Sequence, residues 1–158
     1  KDHRSDPSYS LWNECSAYLQ HMDAEELLKA EMEYETYLET IAQMQDTVVI
    51  LSLDGNYQAS ETELNKVMEI FGIPESEYWI GGKWIFEDGA CTYYMNSNNP
   101  EAYMMELSEF DTLRMRYVPG SIAQIEINTT PMDSTLNGLN IVVYDKVLDR
   151  TISQKGFE

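Results

Sequence analysis

The chain contains few of the residues that build most metal centres and many catalytic sites. Its 158 residues include two cysteines, Cys15 and Cys91, and two histidines, His3 and His21. None of them stands at the spacing of a zinc site, and no HExxH segment or Gly-x-Ser-x-Gly elbow is present. The sequence therefore predicts no metal, no cofactor and no histidine-based triad, with both histidines exposed to solvent.

Two cysteines are also too few for a small domain held together by a disulfide framework. Cys15 and Cys91 form either one bridge between the N-terminal segment and the middle of the chain, or two unpaired small hydrophobes. Both interpretations stay open on the sequence.

Basic residues are scarce as well: 10 lysines and arginines stand against 28 aspartates and glutamates, for a net charge of −18. Such a surface repels a phosphate backbone and an anionic membrane, so no nucleic-acid partner is predicted. No apolar run approaches the roughly 20 residues of a membrane-spanning helix, so no direct membrane insertion is predicted either. The first residue is Lys1 and no signal segment is visible, so we expect an excised part of an exported or membrane-anchored protein.

The best-marked unit of the sequence is Asp46–Lys83. Thr47–Leu53 is a continuous aliphatic and β-branched run, which is typical of a strand covered on both faces. A capping box at Ser60–Glu63 then begins a helix, and Gly72 followed by Pro74 ends it. This unit predicts a strand, a helix with both ends marked, and a second short strand that runs into a glycine turn.

The remaining sequence predicts one more helix and several short strands. Residues 1–10 are polar and are expected to be a flexible lead-in, and residues 11–158 a single domain. Asp23–Gln45 has a helical pattern. The further strand candidates are Trp84–Glu87, Ala90–Met95, Tyr103–Met105, Thr112–Val118, Ile122–Asn128, Leu139–Asp145 and Thr151–Phe157. Helices and strands do not alternate regularly, so we predict a mixed α/β fold with β-sandwich-like sheets and two main helices, in two or three layers.

Five residues are candidates for binding a ligand. Asp54 and Asn56 leave the end of the predicted strand, and their oxygens suit a sugar or a calcium ion. The simpler interpretation of this segment is an Asx-rich loop between a strand and a helix. Tyr57, Trp84 and Tyr93 are candidates for stacking on a sugar ring.

Two other features that suggest chemistry have simpler explanations. Gly81-Gly82-Lys83 lacks the spacing of a phosphate-binding loop, and we interpret it as a turn or bulge where the backbone passes close to another strand. Neighbouring carboxylates such as Glu25 and Glu26 are abundant, but on a helix they are ordinarily a solvated face.

Two blocks of the chain together resemble the interleukin-like epithelial–mesenchymal transition inducer (ILEI-like) domain. Asp46–Lys83 resembles its second half, with the capped helix and Trp79-Ile-Gly-Gly-Lys83. Asn137–Phe157 resembles its first half, with Gly138-Leu-Asn-Ile141 and Phe157. The family places these blocks in the opposite order, so the resemblance implies a circularly permuted domain, a module divided at its boundary, or two chains that exchange halves.

The resemblance implies an extracellular or lumenal β-rich α/β sandwich without enzymatic machinery. The function we predict from it is a non-catalytic, extracellular or cell-surface recognition module, bacterial in origin, that binds a carbohydrate or cell-envelope glycan or supports a glycan-processing membrane protein. One alternative is a protein–protein or assembly module, with a dimer formed by exchange of the Gly138–Phe157 hairpin. A remote alternative is a hydrolase that uses an acidic pair.

Overall fold

The computed structural model describes residues 7–54, 61–74, 81–97, 102–118, 123–135 and 138–157. Three helices lie in these ranges: α1 (Pro7–Lys29), α2 (Tyr34–Ala42) and α3 (Glu61–Phe71). The strands are β1 (Thr47–Asp54), β2 (Lys83–Glu87), β3 (Ala90–Met95), β4 (Ala102–Glu106), β5 (Thr112–Arg116), β6 (Ile125–Ile127), β7 (Thr130–Pro131), β8 (Gly138–Asp145) and β9 (Arg150–Phe157).

The strands form two antiparallel sheets. The first sheet has five strands in the order β3-β2-β1-β8-β9, and the second has four in the order β4-β5-β6-β7. The central pair β1–β8 runs from Thr47 opposite Asp145 to Asp54 opposite Gly138. Every residue of both central strands is buried. The predicted two-sided covering of β1 is therefore confirmed.

The first sheet is covered on both faces because its strands alternate side chains between two cores. On one face, Leu51, Phe86 and Ile141 pack with Leu38 and other residues of the helices. On the other face, Ile50, Ile85 and Val142 pack with Leu113, Ile125 and other residues of the second sheet. The fold is thus a mixed α/β arrangement of three layers, helices, sheet and sheet, as the coarse pattern of the sequence predicts.

The turns marked by glycine are confirmed. Gly72 has φ +65°, and the N–H of Ile73 donates to the carbonyl of Met68 at 2.9 Å, which is the C-terminal bond of a Schellman motif. Asp88 and Gly89 both have positive φ, as a two-residue hairpin between β2 and β3 requires. The capping box at the other end of α3 lies outside the described side chains.

The Gly81 turn also fulfils its predicted role. Gly81 has φ +75°, and a Cβ built on it would stand 2.4 Å from the ring of Tyr117. Only glycine leaves room for this close approach of two segments. The strand predicted just before Gly81 lies outside the described residues.

The N-terminal predictions need correction. Pro7–Ser10, predicted as flexible lead-in, belongs to α1, whereas residues 1–6 lie outside the described residues. The single helix predicted over Asp23–Gln45 is broken, because Glu33 is extended at ψ 151° and α2 begins after it. The helices therefore number three among the described residues, and neither glycine nor proline marks the break.

The predicted strand Ile122–Asn128 is shorter than expected. Within the described residues 123–128, Ile125–Ile127 forms β6, and Gln124 and Glu126 are buried. Glu126 is covered by Arg116 of the neighbouring strand, whose Nη2 donates to it at 3.2 Å. A salt bridge between neighbouring strands therefore helps to cover Glu126.

Candidate functional site

The inner face of α1 is anchored to the end of the central hairpin. The Nδ1 atom of His21 lies 2.5 Å from Oδ2 of Asp145, whose side chain is fully buried. The other oxygen of Asp145 accepts from the backbone N–H groups of Val147 and Leu148 at 2.8 and 2.9 Å. Asp145 therefore both ends β8 and orients the histidine.

A second contact anchors α1 one helical turn further on. Arg150 at the start of β9 donates from Nε and Nη2 to the two carboxylate oxygens of Glu25, each at 2.8 Å. This hydrogen bond holds the pKa of Glu25 below its usual range and raises the pKa of Arg150. Leu28, 2 % exposed, completes the inner face. The spacing His21, Glu25, Leu28 places all three on one side of the helix.

A second side of α1, about a quarter turn around the helix from the anchored side, is apolar and open. Cys15, Tyr18, Leu19 and Met22 are exposed and follow the i, i+3, i+4, i+7 spacing of a single helix face, which we call the α1 apolar face. Among the described residues six large hydrophobics are exposed, and four of them lie on α1: Tyr18, Leu19, Met22 and Leu27. Such clustering is typical of an interaction surface, whereas single exposed apolar residues are ordinary.

Two surface cavities border α1. One, of about 420 Å³, is lined by Glu14, Cys15, Tyr18 and Leu19, and so opens on the α1 apolar face. The other, of about 220 Å³, is lined by Gln20, His21, Ala24, Met44 and Gln45, between α1 and the segment after α2. The prediction of a solvent-exposed His21 is thus wrong, because the ring is tied to Asp145 and borders a cavity.

The second candidate is a buried polar cluster at the end of the inter-sheet core. Lys83 Nζ donates to Ser52 Oγ at 2.5 Å and to Asp54 Oδ1 at 2.9 Å, and the side chains of Lys83 and Asp54 have no exposed surface. Ser52 donates to Asp54 Oδ1 at 2.6 Å. Asn140 donates to Asp54 Oδ2 at 2.5 Å. Both oxygens of Asp54 are therefore occupied inside the protein.

Asp133 adjoins this cluster. Its Oδ1 accepts from the N–H of Ile125 at 2.8 Å, and burial, reinforced by the neighbouring Asp54, raises the pKa of Asp133 to about 8. Burial alone would raise the pKa of Asp54, but the hydrogen bond with Asp133 and the charge of Lys83 outweigh it and lower that pKa. The two carboxyl groups therefore differ in pKa, with that of Asp133 raised and that of Asp54 lowered.

The three predicted ligand-binding residues that lie in the described part of the chain, Asp54, Trp84 and Tyr93, do not share one surface. Trp84 is 2 % exposed and stacks on Tyr94 with ring centroids 5.4 Å apart. Tyr93 is half-buried and stacks on Tyr103 at 3.7 Å. Trp84 packs in the core under the helices, whereas Lys83 beside it in β2 points to the opposite face, where it meets Asp54.

The other predicted residues divide into two groups. Asn56 and Tyr57 lie outside the described residues, so their sugar-binding role stays a prediction. Cys15, on α1, and Cys91, on the edge strand β3, are both exposed and no disulfide joins them. The predicted bridge is therefore not formed, and the two side chains are exposed rather than packed as small hydrophobes in a core.

Three residues whose contacts sequence reasoning missed left a signal in their spacing. His21 lies four residues before Glu25 and seven before the buried Leu28, which is the spacing of a packed helix face. Lys83 alternates with Ile85, and Ser52 with Ile50, so strand periodicity places both polar residues on the core-facing side. Neither pattern identifies the hydrogen-bond partners Asp145 and Asp54, which lie far away in the sequence.

The described residues show no cluster of three or more metal-binding side chains, and no described helix is long and apolar enough to cross a bilayer. Compared with protein-family models, with curated proteins and with solved structures, the chain gives no match. The resemblance to ILEI-like domains accordingly stays a prediction, and the functional proposal depends on this chain's own residues.

Proposed function

We propose that the protein is a non-catalytic binding domain that holds a basic amphipathic helix of a partner protein against the α1 apolar face. The observation that carries the proposal is the exposure of Cys15, Tyr18, Leu19 and Met22 along one side of a helix that is anchored through the neighbouring side. A partner helix that buries such a stripe gains the hydrophobic free energy that the isolated domain leaves unused.

Charge supports a basic partner rather than a second copy of the chain. Asp23 and Glu26 stand four residues after Leu19 and Met22, and both are exposed at the border of the α1 apolar face. Glu14 lines the cavity on the same side. Two copies that each carry a net charge of −18 repel one another, whereas lysines or arginines beside a partner's apolar stripe would meet these carboxylates.

The proposal favours the assembly alternative over the other functions expected from the sequence. The β8–β9 hairpin pairs with β1 of its own chain along the whole strand, so the first sheet is complete without an exchanged partner. A glycan-binding role stays a prediction, and Trp84 gives it no support because its side chain is enclosed in the core. Both oxygens of Asp54 accept from internal partners, and Asp133 is buried beside it, which gives a hydrolase with this acidic pair little support.

A matched pair of substitutions tests the proposal. Leu19 is 59 % exposed on the α1 apolar face, and Leu27 is 52 % exposed on another side of the same helix. Leu19→Glu and Leu27→Glu add the same charge at similar exposure. The probe is a designed helical peptide with one leucine face and one lysine face, titrated by calorimetry against each variant, with a scrambled peptide of the same composition as its control.

We expect the amphipathic peptide to bind the unchanged protein and the Leu27→Glu variant alike. Leu19→Glu should weaken binding about fivefold to tenfold, since a half-exposed leucine is worth about 1 kcal/mol when buried. The added carboxylate would favour a basic peptide on charge alone, so the weakening isolates the apolar contact. Equal effects of both substitutions, or equal binding of the scrambled peptide, would contradict the proposal, as would a dimer formed through α1.

A further inference from the structure

The segment after β7 joins the two sheets through polar contacts. Asp133 accepts from Ile125 of the second sheet, and the N–H groups of Ser134 and Thr135 donate to Oδ1 of Asn140 in the first sheet at 2.7 and 2.9 Å. Asn140 in turn donates to the carbonyl of Thr135 at 2.9 Å. The buried cluster therefore lies where this segment crosses from one sheet to the other.

One carboxyl oxygen of the cluster, Oδ2 of Asp133, is not explained by the hydrogen bonds described above. Asp54 accepts from Lys83, Ser52 and Asn140. Oδ2 of Asp133 is buried and, among the described atoms, has no donor. A carboxylate oxygen in that position would lack any compensating bond, whereas a carboxylic acid can donate its own O–H to the neighbouring Asp54.

The net charge of the cluster independently indicates that Asp133 retains a proton. The charged groups that bear on Asp133 are Asp54 from β1 and Lys83 from β2. With one ammonium group and two carboxylates the cluster would carry a buried net negative charge. With one proton retained it is neutral, and a neutral buried cluster avoids a large desolvation cost.

We propose that Asp54 and Asp133 share a single proton, and that this carboxyl pair makes the join between the two sheets sensitive to pH. The proton lies on Asp133 and is donated to Asp54, which remains the charged partner of Lys83. When the proton leaves, two carboxylates face each other, and the segment carrying Asp133 is repelled from the end of β1.

The direction of the pH dependence follows from the raised pKa of Asp133, about 8 against 3.8 in the unfolded chain. Between these values the folded protein holds one proton more than the unfolded chain. Stability is therefore complete below about pH 4 for this group and falls as the pH rises towards about 8. The folding equilibrium constant should fall about tenfold for each pH unit in that window.

The test compares the unchanged protein with Asp133→Asn by urea unfolding at a series of pH values. Asparagine keeps a donor towards Asp54 and cannot ionise. We expect the ratio of the two folding constants to change about tenfold per pH unit between about pH 5 and about pH 7, and to level off above about pH 8. The control is Asp149→Asn, an exposed turn residue with φ +54° that asparagine also adopts, which should show a constant ratio.

A ratio that stays constant for Asp133→Asn over the same range would overturn the proposal, because it would mean that Asp133 is ionised in the folded protein. If the variant does not fold, carbon-detected NMR of the unchanged protein decides the matter. The carboxyl carbon of Asp133 should titrate near pH 8. A chemical shift showing that the Asp133 carboxyl group is already ionised at pH 5 would also overturn the proposal.

Discussion

Lys83 Nζ lies 2.9 Å from Asp54 Oδ1, and neither side chain has any exposed surface. This ion pair joins β1 to β2 between the two sheets, and Ser52 and Asn140 satisfy the remaining lone pairs of the carboxylate. The structure thus uses Asp54 as an internal partner, at the position where the sequence suggested a ligand.

The first prediction concerns this pair. Lys83→Met should lower the free energy of unfolding by about 3–5 kcal/mol, because it leaves the carboxylate of Asp54 buried without its cation. Adding Asp54→Asn to Lys83→Met should recover part of that loss, since the amide carries no charge. Urea unfolding of the single and double variants measures both. A Lys83→Met protein as stable as the unchanged protein would rule out a buried ion pair.

The second prediction separates two glycines with similar backbones. Gly72 and Gly81 have φ +65° and +75°, but a Cβ on Gly72 would meet nothing within 4 Å, whereas one on Gly81 would meet the ring of Tyr117. Gly72→Ala should cost about 1 kcal/mol from backbone strain alone. Gly81→Ala should cost at least about 1 kcal/mol more, because the ring must move.

The background Tyr117→Ala provides the control for this comparison. In that background the difference between the two alanine substitutions should disappear, and urea unfolding is again the measurement. If Gly81→Ala remains the more harmful substitution without the tyrosine ring, the close contact is not the cause.

The third prediction concerns the anchoring of α1. His21 bonds to the buried Asp145, and the inner face of α1 otherwise has Glu25 and Leu28 in contact with the body of the protein. His21→Ala should therefore release α1 locally, with faster amide hydrogen exchange in α1 than in β1 or β8. Gln20→Ala, at the neighbouring exposed position, should leave the exchange unchanged. Unchanged exchange in His21→Ala would show that the histidine does not hold the helix.

The fourth prediction concerns a tie between β8 and the β4–β5 turn. The hydroxyl of Tyr144 donates to Oδ2 of Asp111 at 2.5 Å and lies 2.9 Å from Ser108 Oγ. Burial, together with the bond to Asp111, raises the pKa of Tyr144 to about 12. The stability that the protonated Tyr144 hydroxyl contributes is complete below about pH 10 and is lost as the pH rises towards about 12.

Tyr144→Phe should therefore destabilise the protein by about 1–3 kcal/mol at neutral pH, since it leaves buried polar groups without their partner. It should also reduce the loss of stability above about pH 10. Thermal unfolding at neutral and alkaline pH measures both effects. A variant that loses stability at alkaline pH as steeply as the unchanged protein would contradict the assignment.

Much of the fold could be predicted from local sequence signals. Three such signals each depend on a few neighbouring residues, and each is confirmed: the aliphatic run in β1, the glycine after α3 and the Asp88-Gly89 hairpin. The beginning of α1 and the break before α2 were missed. Residues 7–10 are polar, and no glycine or proline separates Lys29 from Tyr34, so the local sequence carries no stop signal there.

The candidate sites were less predictable because their contacts span long sequence separations. His21 meets Asp145 across 124 residues, and Lys83 meets Asp54 across 29. Periodicity places each residue on a packed face but does not identify the opposite partner. The burial of Trp84 was equally hard to predict, since the sequence pattern of an aromatic residue in a strand is the same whether its side chain lies in a core or on a binding surface.

The binding role of α1 is tested most directly by NMR chemical shifts recorded while the leucine–lysine peptide is added to the full chain. Binding at the α1 apolar face predicts shifts that concentrate at Cys15, Tyr18, Leu19 and Met22, and that are lost in Leu19→Glu but kept in Leu27→Glu. Shifts centred on the Tyr93–Tyr103 stack, or spread evenly over the acidic surface, would contradict it.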